Sequence, residues 1–532
     1  MRRTSEEPGK SDYLISGLLA AIVWALYVLL IPVNRTENDD GYHYAWLLLH
    51  GDKAALFQSR FPLFLSAEKG LFTLLKWLGF APDAYMLLVW VSSFFAAGAI
   101  FIFYLIVRKR FRLSRRSAVI TVLMLAFSYG FWRYAVEAEL YSISHFLIFL
   151  TFYLLTRPAG EDDLRPVLSA AAIGSLAVMV YKPNFIPLFL AFPWIFIANR
   201  QWKRAACYLA AGAAGILGIY ALIYVSVPVT EHSYISYLFS GSDGNSGNPL
   251  MSIFVYLSDI ASSNYLYGFS YLTTLIHARF PANMIVEEVL TASFYPALNY
   301  AAVATSACLL LTALFIVYRK VTLTPLRSVG NAQQRLQLVM WLWLIVYWLV
   351  LAVLDPDSPE PWMMLVPPLF FLTGTGLVQR FEGADKPGFY AVYLLLVLLI
   401  VHNLVAAVIP NLNSRSDYNK NKTEHIIALA TTDDVIICFG SYTEFYYLQY
   451  YSHGRVLDAN ESLQNLPAVL AASRLKKSTV FLTDDVIHPE DVMKFRNPKN
   501  LSVLKTMIRT HRVSLHQQGT STGNFSYYTM SN

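Results

Sequence analysis

Charge is scarce in this chain: 14% of its 532 residues are Asp, Glu, Lys or Arg, where a soluble protein carries about 25%. The shortage excludes a string of ordinary soluble domains, and a hydrophobic share of 56% leaves lipid as the solvent for most of the chain. Cysteine is scarcer still. Cys207, Cys308 and Cys438 are odd in number, widely spaced and set in apolar surroundings, which excludes a disulfide framework or a zinc-thiolate pattern and marks them as packing residues. A nucleic-acid-binding face is also missing. The net charge is +6, but the basic residues sit in short loops between apolar runs, where they report orientation. There is no internal repeat, no low-complexity tract, and no small-residue cleavage signature after the first apolar run, Tyr13 to Pro32. That run reads as a retained helix, not a signal peptide.

What is present is a succession of apolar runs, many of the roughly 18 residues that cross a ~30 Å hydrocarbon core. They lie near 13–32, 85–107, 117–130, 140–156, 167–181, 184–199, 204–227, 297–318, 337–354, 362–379 and 389–410. The expectation is a polytopic α-helical membrane protein of about eleven spans. Every second loop is basic: Arg2, Arg3 and Lys10; Arg108 to Arg116; Arg200, Lys203 and Arg204; Arg319, Lys320 and Arg327. These loops should be cytoplasmic. The alternate loops then face outward, and they carry all the unusual chemistry. An odd number of spans places the tail after Pro410 outside too. There Ser, Asn, Lys and Asp return, and DDVIICFG, GRVLDA and STVFLTDD read as strands between helical segments. The organisation expected is a transmembrane domain over 1–410, with interfacial helices in its first outer loop (33–84), and a soluble α/β domain over 411–532.

Four outer segments hold the candidate residues. In NRTENDDGYHYAWLLLHGD, Asp39 and Asp40 follow the first span. One of them could be a plain helix N-cap, but a cap needs one carboxylate. Neighbouring positions on a helix do not face each other, so the pair should divide two tasks: taking a proton from an attacking hydroxyl, and holding a metal or orienting an acceptor. FSYGFWRYAVEAELYSISHF brings Arg133, Glu137 and Glu139. Its plainer reading is an exposed i,i+4 ion pair worth roughly 0.3 kcal/mol, inside an aromatic belt. YKPN offers Lys182, either a snorkelling end residue or a phosphate contact. With Arg60, Lys69, Arg133 and Arg279 it is among the few outward cations of the membrane part. DPDSPEPW stiffens a turn with three prolines and fixes Asp355, Asp357 and Glu360, a turn or a support for an acceptor or metal. His43, His50, His145 and His232 lack the spacing of a metal helix.

The acidic pair with its aromatics (DDGYHYAW), the amphipathic stretch with FPLF, and FWRYAVEAELYSIS at a span junction together resemble the GT-C superfamily of membrane glycosyltransferases. The motifs cover roughly residues 10–200, and the span pattern extends to about 410. The resemblance implies a polyprenyl-phosphate sugar donor and a glycan, lipid or protein acceptor. It also implies an outer-face Asp as base, falling on Asp39 or Asp40 with Asp39 favoured, and inversion at the anomeric carbon. At FPLF the chain departs from its relatives, which often place His before Pro-Leu where this sequence has Arg60-Phe61-Pro62-Leu63. The expected setting is a bacterial inner membrane with the N-terminus cytoplasmic. No cofactor is required by the sequence, although the outer acids leave room for a divalent cation. Two competing classes remain: a secondary transporter or flippase of a lipid-linked sugar, which would carry charges at mid-membrane in two related halves, and a non-catalytic envelope assembly protein.

Overall fold

The computed structural model describes residues 10–36, 40–158, 160, 162–229, 231–240, 249, 251–279, 286–318, 332–356, 358–384, 386–439, 442–459, 463–488, 498–509, 512–520 and 523–531. The chain forms two compact units. Met1–Ile31, Leu47–Ser262 and Val303–Leu404 make the first, and Pro32–Trp46, Ser263–Ala302 and Val405–Asn532 the second.

Among the described residues, seven helices are long and apolar enough to cross a bilayer: Lys10–Leu29, Ala84–Lys109, Trp202–Ser226, Pro296–Tyr318, Ala332–Leu354, Glu360–Val378 and Lys386–Asn411. Arg115–Ala126 and Tyr129–Ala135, bent by 66° at the break between them, make an eighth if taken as one span. All eleven apolar runs fall on helices, but Tyr141–Leu155, Arg165–Val180 and Lys182–Ile197 are shorter, at 10–17 residues. At 1.5 Å per residue, 16 residues reach only ~24 Å. The length criterion therefore gives seven or eight spans where apolar runs alone suggest eleven. The chain is a multi-pass membrane protein in either count. Lys182–Ile197 is further broken by Pro183, Pro187 and Pro193, passing from 3-10 to π to α geometry.

The bent pair is the feature that positions the site. Ser128 adopts an extended backbone (φ −65°, ψ 144°), so the helix ending at Ala126 cannot continue. Carbonyls freed by a break in an apolar interior need new donors. Here Tyr27 Oη donates to Ala126 O at 2.5 Å, Asn403 Nδ2 donates to Phe127 O at 2.8 Å, and Ser128 Oγ donates to Leu125 O at 2.7 Å. With the break satisfied, Tyr129–Ala135 starts afresh. A short non-helical turn then carries the chain into Tyr141–Leu155.

The second unit contains a five-stranded sheet. Strands β1 (Val435–Cys438), β2 (Arg455–Asp458) and β3 (Val480–Thr483) are those expected from DDVIICFG, GRVLDA and STVFLTDD. A hairpin of β4 (Arg512–Thr520) and β5 (Gly523–Ser531) completes the order β2-β1-β3-β5-β4. Pairing is parallel among β1, β2 and β3, and antiparallel from β3 to β5 and β5 to β4. All of β1 and β3 is buried, as strands covered on both faces require. Ile437, Leu457, Leu482, Tyr528 and Met530 pack with Leu466 and Leu470 on one face; Ile436, Cys438 and Phe481 pack with Ile426 and Leu448 on the other.

Candidate active site

In the first unit, the restart at Tyr129 brings Arg133 and Glu137 one turn apart, with Arg133 Nε donating to Glu137 Oε1 at 3.0 Å. The side chains are only 10% and 11% exposed, so this is not the solvated surface pair of the plainer reading. The guanidinium also lies against the rings of Tyr134 and Tyr129, 5.4 and 6.0 Å from their centroids. Glu139 is fixed through its backbone: Ser92 Oγ donates to its carbonyl at 2.6 Å.

DPDSPEPW supplies the facing wall. Trp362 Nε1 donates to Asp355 O at 2.9 Å, closing the proline-stiffened turn. Glu360 Oε2 accepts from Tyr141 Oη at 2.9 Å, and Glu360 and Glu139 offer oxygens within 4.8 Å of each other. Tyr141 packs edge-on against Tyr181 with centroids 5.4 Å apart, and beside Tyr134 at 5.1 Å. Arg60 hydrogen-bonds the Tyr181 side chain, and the charges of Arg60 and Asp355 both reach Tyr347. Arg60, Arg133, Glu137, Glu139, Asp355 and Glu360 thus share one aromatic-lined region.

Two further proposed cations of the same unit are held by hydrogen bonds. Lys182 Nζ donates to Ser240 O at 2.9 Å and to Ser59 Oγ at 3.4 Å. Lys69 Nζ donates to the carbonyl of Leu48 in the last turn of helix Asp40–His50. Asp39, Asp357 and the side chain of Arg279 lie outside the described residues. In the second unit, Asp40 opens helix Asp40–His50, and its Oδ2 accepts from Tyr44 Oη, one turn on, at 3.0 Å.

The sequence reading missed Asp259. It comes from the long segment 228–296, in helix Met251–Ile260, and is 2% exposed. Its carboxyl is pressed onto Gly130, where a Cβ would stand 2.9 Å from Oδ1. Arg133's charge acts on it, yet Oδ2 has no hydrogen-bond partner among the described residues. A lone acid in an apolar run was the available signal. A second buried acid, Glu68 of helix Phe64–Trp77, has its carboxyl pushed up to about 8 by burial. His145, by contrast, is packed between the rings of Phe131 and Phe149, at 5.4 and 5.7 Å.

No protein-family profile matches the chain, and no curated protein sequence matches it significantly. Solved structures do. A crystal structure of ArnT from Cupriavidus metallidurans bound to undecaprenyl phosphate superposes with a TM-score of 0.54 at 13% identity, covering 98% of each chain. The apo state of the same protein gives 0.55 at 13% identity over 97% of each. The oligosaccharyltransferase of Archaeoglobus fulgidus, in complex with Zn and sulfate, gives 0.50 at 13% identity over 97% of this chain and 72% of the other. The fold is shared across the whole chain, so the GT-C-like architecture expected from the motifs is borne out as a fold.

Proposed function

We propose that the protein is a GT-C glycosyltransferase that moves a sugar from a polyprenyl-phosphate carrier to an acceptor at the outer face of a bacterial inner membrane. The N-terminus is then cytoplasmic and the C-terminal domain extracytoplasmic. The observation that carries this reading is the aromatic-lined cluster of Arg60, Arg133, Glu137, Glu139 and Glu360, on a fold shared with a protein that binds undecaprenyl phosphate. A transporter would need ionisable groups at the middle of broken helices in related halves. Here Arg133 does lie on a broken helix, but Arg60, Glu137, Glu139 and Glu360 gather beside inter-helix turns, in a sequence without a repeat.

In the reaction, Asp39 or Asp40 takes the proton of the acceptor hydroxyl. Its oxygen attacks the anomeric carbon from the face opposite the phosphate, and the carbon–oxygen bond to the carrier breaks, inverting that centre. The bond's electron pair leaves on the polyprenyl phosphate. Phosphate is already a good leaving group, so the protein's task is to receive the acceptor's proton and neutralise the departing charge. Arg60 and Arg133 serve the phosphate, with Lys182, Lys69 and Arg279 as further cations of the outer loops. Tyr141, Tyr181 and Tyr134 supply a rigid wall with hydroxyls for the sugar. Glu139 and Glu360 are spaced as two ligands of one divalent cation would be, and such an ion would add charge stabilisation for the phosphate.

Purification followed by mass spectrometry of co-purifying lipid tests the donor: a sugar-charged polyprenyl phosphate is expected. Asp39→Asn and Asp40→Asn test the base. At least one should lower transfer by more than about 100-fold with insertion intact, and full activity in both overturns the assignment.

A further inference from the structure

The segment carrying the acidic pair is gripped on both sides by the C-terminal part of the second unit. Before the pair, Val33 N and Asn34 N both donate to Asn411 O at 2.9 Å, and Asn34 Nδ2 donates to Ser416 Oγ at 3.1 Å. Asp417 then takes two groups of the segment at once. Its Oδ2 accepts from Arg35 N at 3.2 Å and its Oδ1 from Thr36 Oγ1 at 3.2 Å, while Tyr418 N donates to Thr36 Oγ1 at 2.9 Å. After the pair, the Tyr42 ring sits among Tyr447, Tyr450 and Tyr451 at 5.1, 5.9 and 5.7 Å, and His43 lies 4.2 Å from the Tyr446 ring.

Asp417 has an ordinary task as well: it is the N-cap of helix Tyr418–Leu429, accepting from Lys420 N at 3.0 Å. A cap needs one acceptor oxygen and tolerates exposure. This carboxylate is 2% exposed, and it directs its second oxygen and part of its first to residues 381 and 382 positions away. Charge-assisted bonds to a backbone N–H and a hydroxyl fix the path of Arg35-Thr36, and the tyrosine nest fixes Tyr42. Asp40 stands four residues after the Thr36 anchor and two before the Tyr42 anchor, on the helix that it opens. Misplacing a reacting group by about 1 Å costs on the order of 100-fold in rate.

We propose that Asp417 is a positioning residue for the acidic segment that runs to Asp40, so that the C-terminal part of the chain serves the reaction and is not an appended binding module. The inference rests on the reading of Asp39 or Asp40 as base.

The test uses the full-length protein in lipid nanodiscs, with the co-purifying lipid fraction as donor. In Asp417→Ala, amide exchange of a peptide over residues 33–46 should rise about 10-fold while that over 141–155 is unchanged. Turnover at saturating donor should fall about 100-fold with donor KM unaltered. Thr36→Val is the milder partner for the case in which Asp417→Ala fails to fold. It should lose about 10-fold, and adding it to Asp417→Ala should cost nothing further, because both break one clasp. Turnover within twofold of wild type in Asp417→Ala, or losses that multiply in the double variant, overturns the inference. If Asp39→Asn and Asp40→Asn are both fully active, the base reading fails instead. If either is inactive while Asp417→Ala is normal, the positioning role alone fails.

Discussion

Lys422 in the second unit and Arg133 in the first are both buried cations facing two carboxyl groups, and they differ in what else surrounds them. Lys422 Nζ donates to Glu444 Oε2 at 2.7 Å and lies 3.4 Å from Asp485 Oδ1, with all three side chains 5% exposed or less. Asp485 also accepts from Phe439 N at 3.2 Å and from Thr483 Oγ1. The cluster thereby ties helices Tyr418–Leu429, Tyr442–Tyr451 and Asp484–Ile487 to the ends of β1 and β3, and its groups are directed at one another. Burial, then the neighbouring Asp485 charge, pushes the Glu444 carboxyl up to about 8. Burial alone would lower the Lys422 ammonium, but Asp485 and Glu444 more than offset it and hold the lysine charged. Arg133 instead pairs with Glu137 and acts by its charge on Asp259, and its guanidinium lies among tyrosine rings rather than among backbone and strand-end groups. The difference teaches that what surrounds a buried cation, more than its residue type, separates a staple from a candidate site.

Three substitutions can break or sharpen that contrast. Arg133→Met should lower turnover at saturating donor by about 100-fold, the scale for removing one charge-stabilising donor, with little change in thermal stability. A variant that is fully active, or that merely unfolds, would make Arg133 a second staple. Lys422→Met should do the opposite kind of damage. Leaving Glu444 and Asp485 without their cation costs about 3–5 kcal/mol, read as a lowered denaturation midpoint of the C-terminal domain. Glu444→Gln should be the mildest, under about 1 kcal/mol at pH 7, because burial already favours the protonated form and amide replaces acid. The pH profile carries the sharper signature. With its carboxyl raised from 4.5 to about 8, native Glu444 binds more protons folded than unfolded across that window. Its contribution is therefore fully present below pH 4.5 and is lost as pH rises through 8. Glu444→Gln should flatten that decline, and an unchanged profile would place the titrating group elsewhere.

Much of the frame was legible because it repeats at short range. Every apolar run fell on helical structure, whole or broken, and VIIC, RVLD and VFLT became the parallel strands. Span number was less legible, since composition does not show where Ser128 or the prolines of 182–197 interrupt a helix. The β4–β5 hairpin escaped notice because RVSLHQQGT and GNFSYYTMS mix polar and apolar residues without a dense β-branched run. At the candidate site, FWRYAVEAELYS drew attention to Arg133 and Glu137, and DPDSPEPW to Glu360, which the fold brings to one region. Nothing local announced Tyr141 as partner of Glu360, Asp259 against Gly130, or Asp417 against Thr36. Those pairings depend on residues 219, 129 and 381 positions apart, beyond the reach of any periodicity.

The clasp between Arg35-Thr36 and Asp417 also sets an order of manufacture. The first span and its acidic loop leave the ribosome early, yet the groups that fix that loop, from Asn411 to Tyr451, are made some 380 residues later. Until then the Asp417 and tyrosine anchors are missing, and the long separation adds to the entropy of the loop's capture. A chain interrupted near residue 400 would insert nearly all its spans and still lack a set acid. On the proposed reading, activity would then wait until the far end has been made and folded.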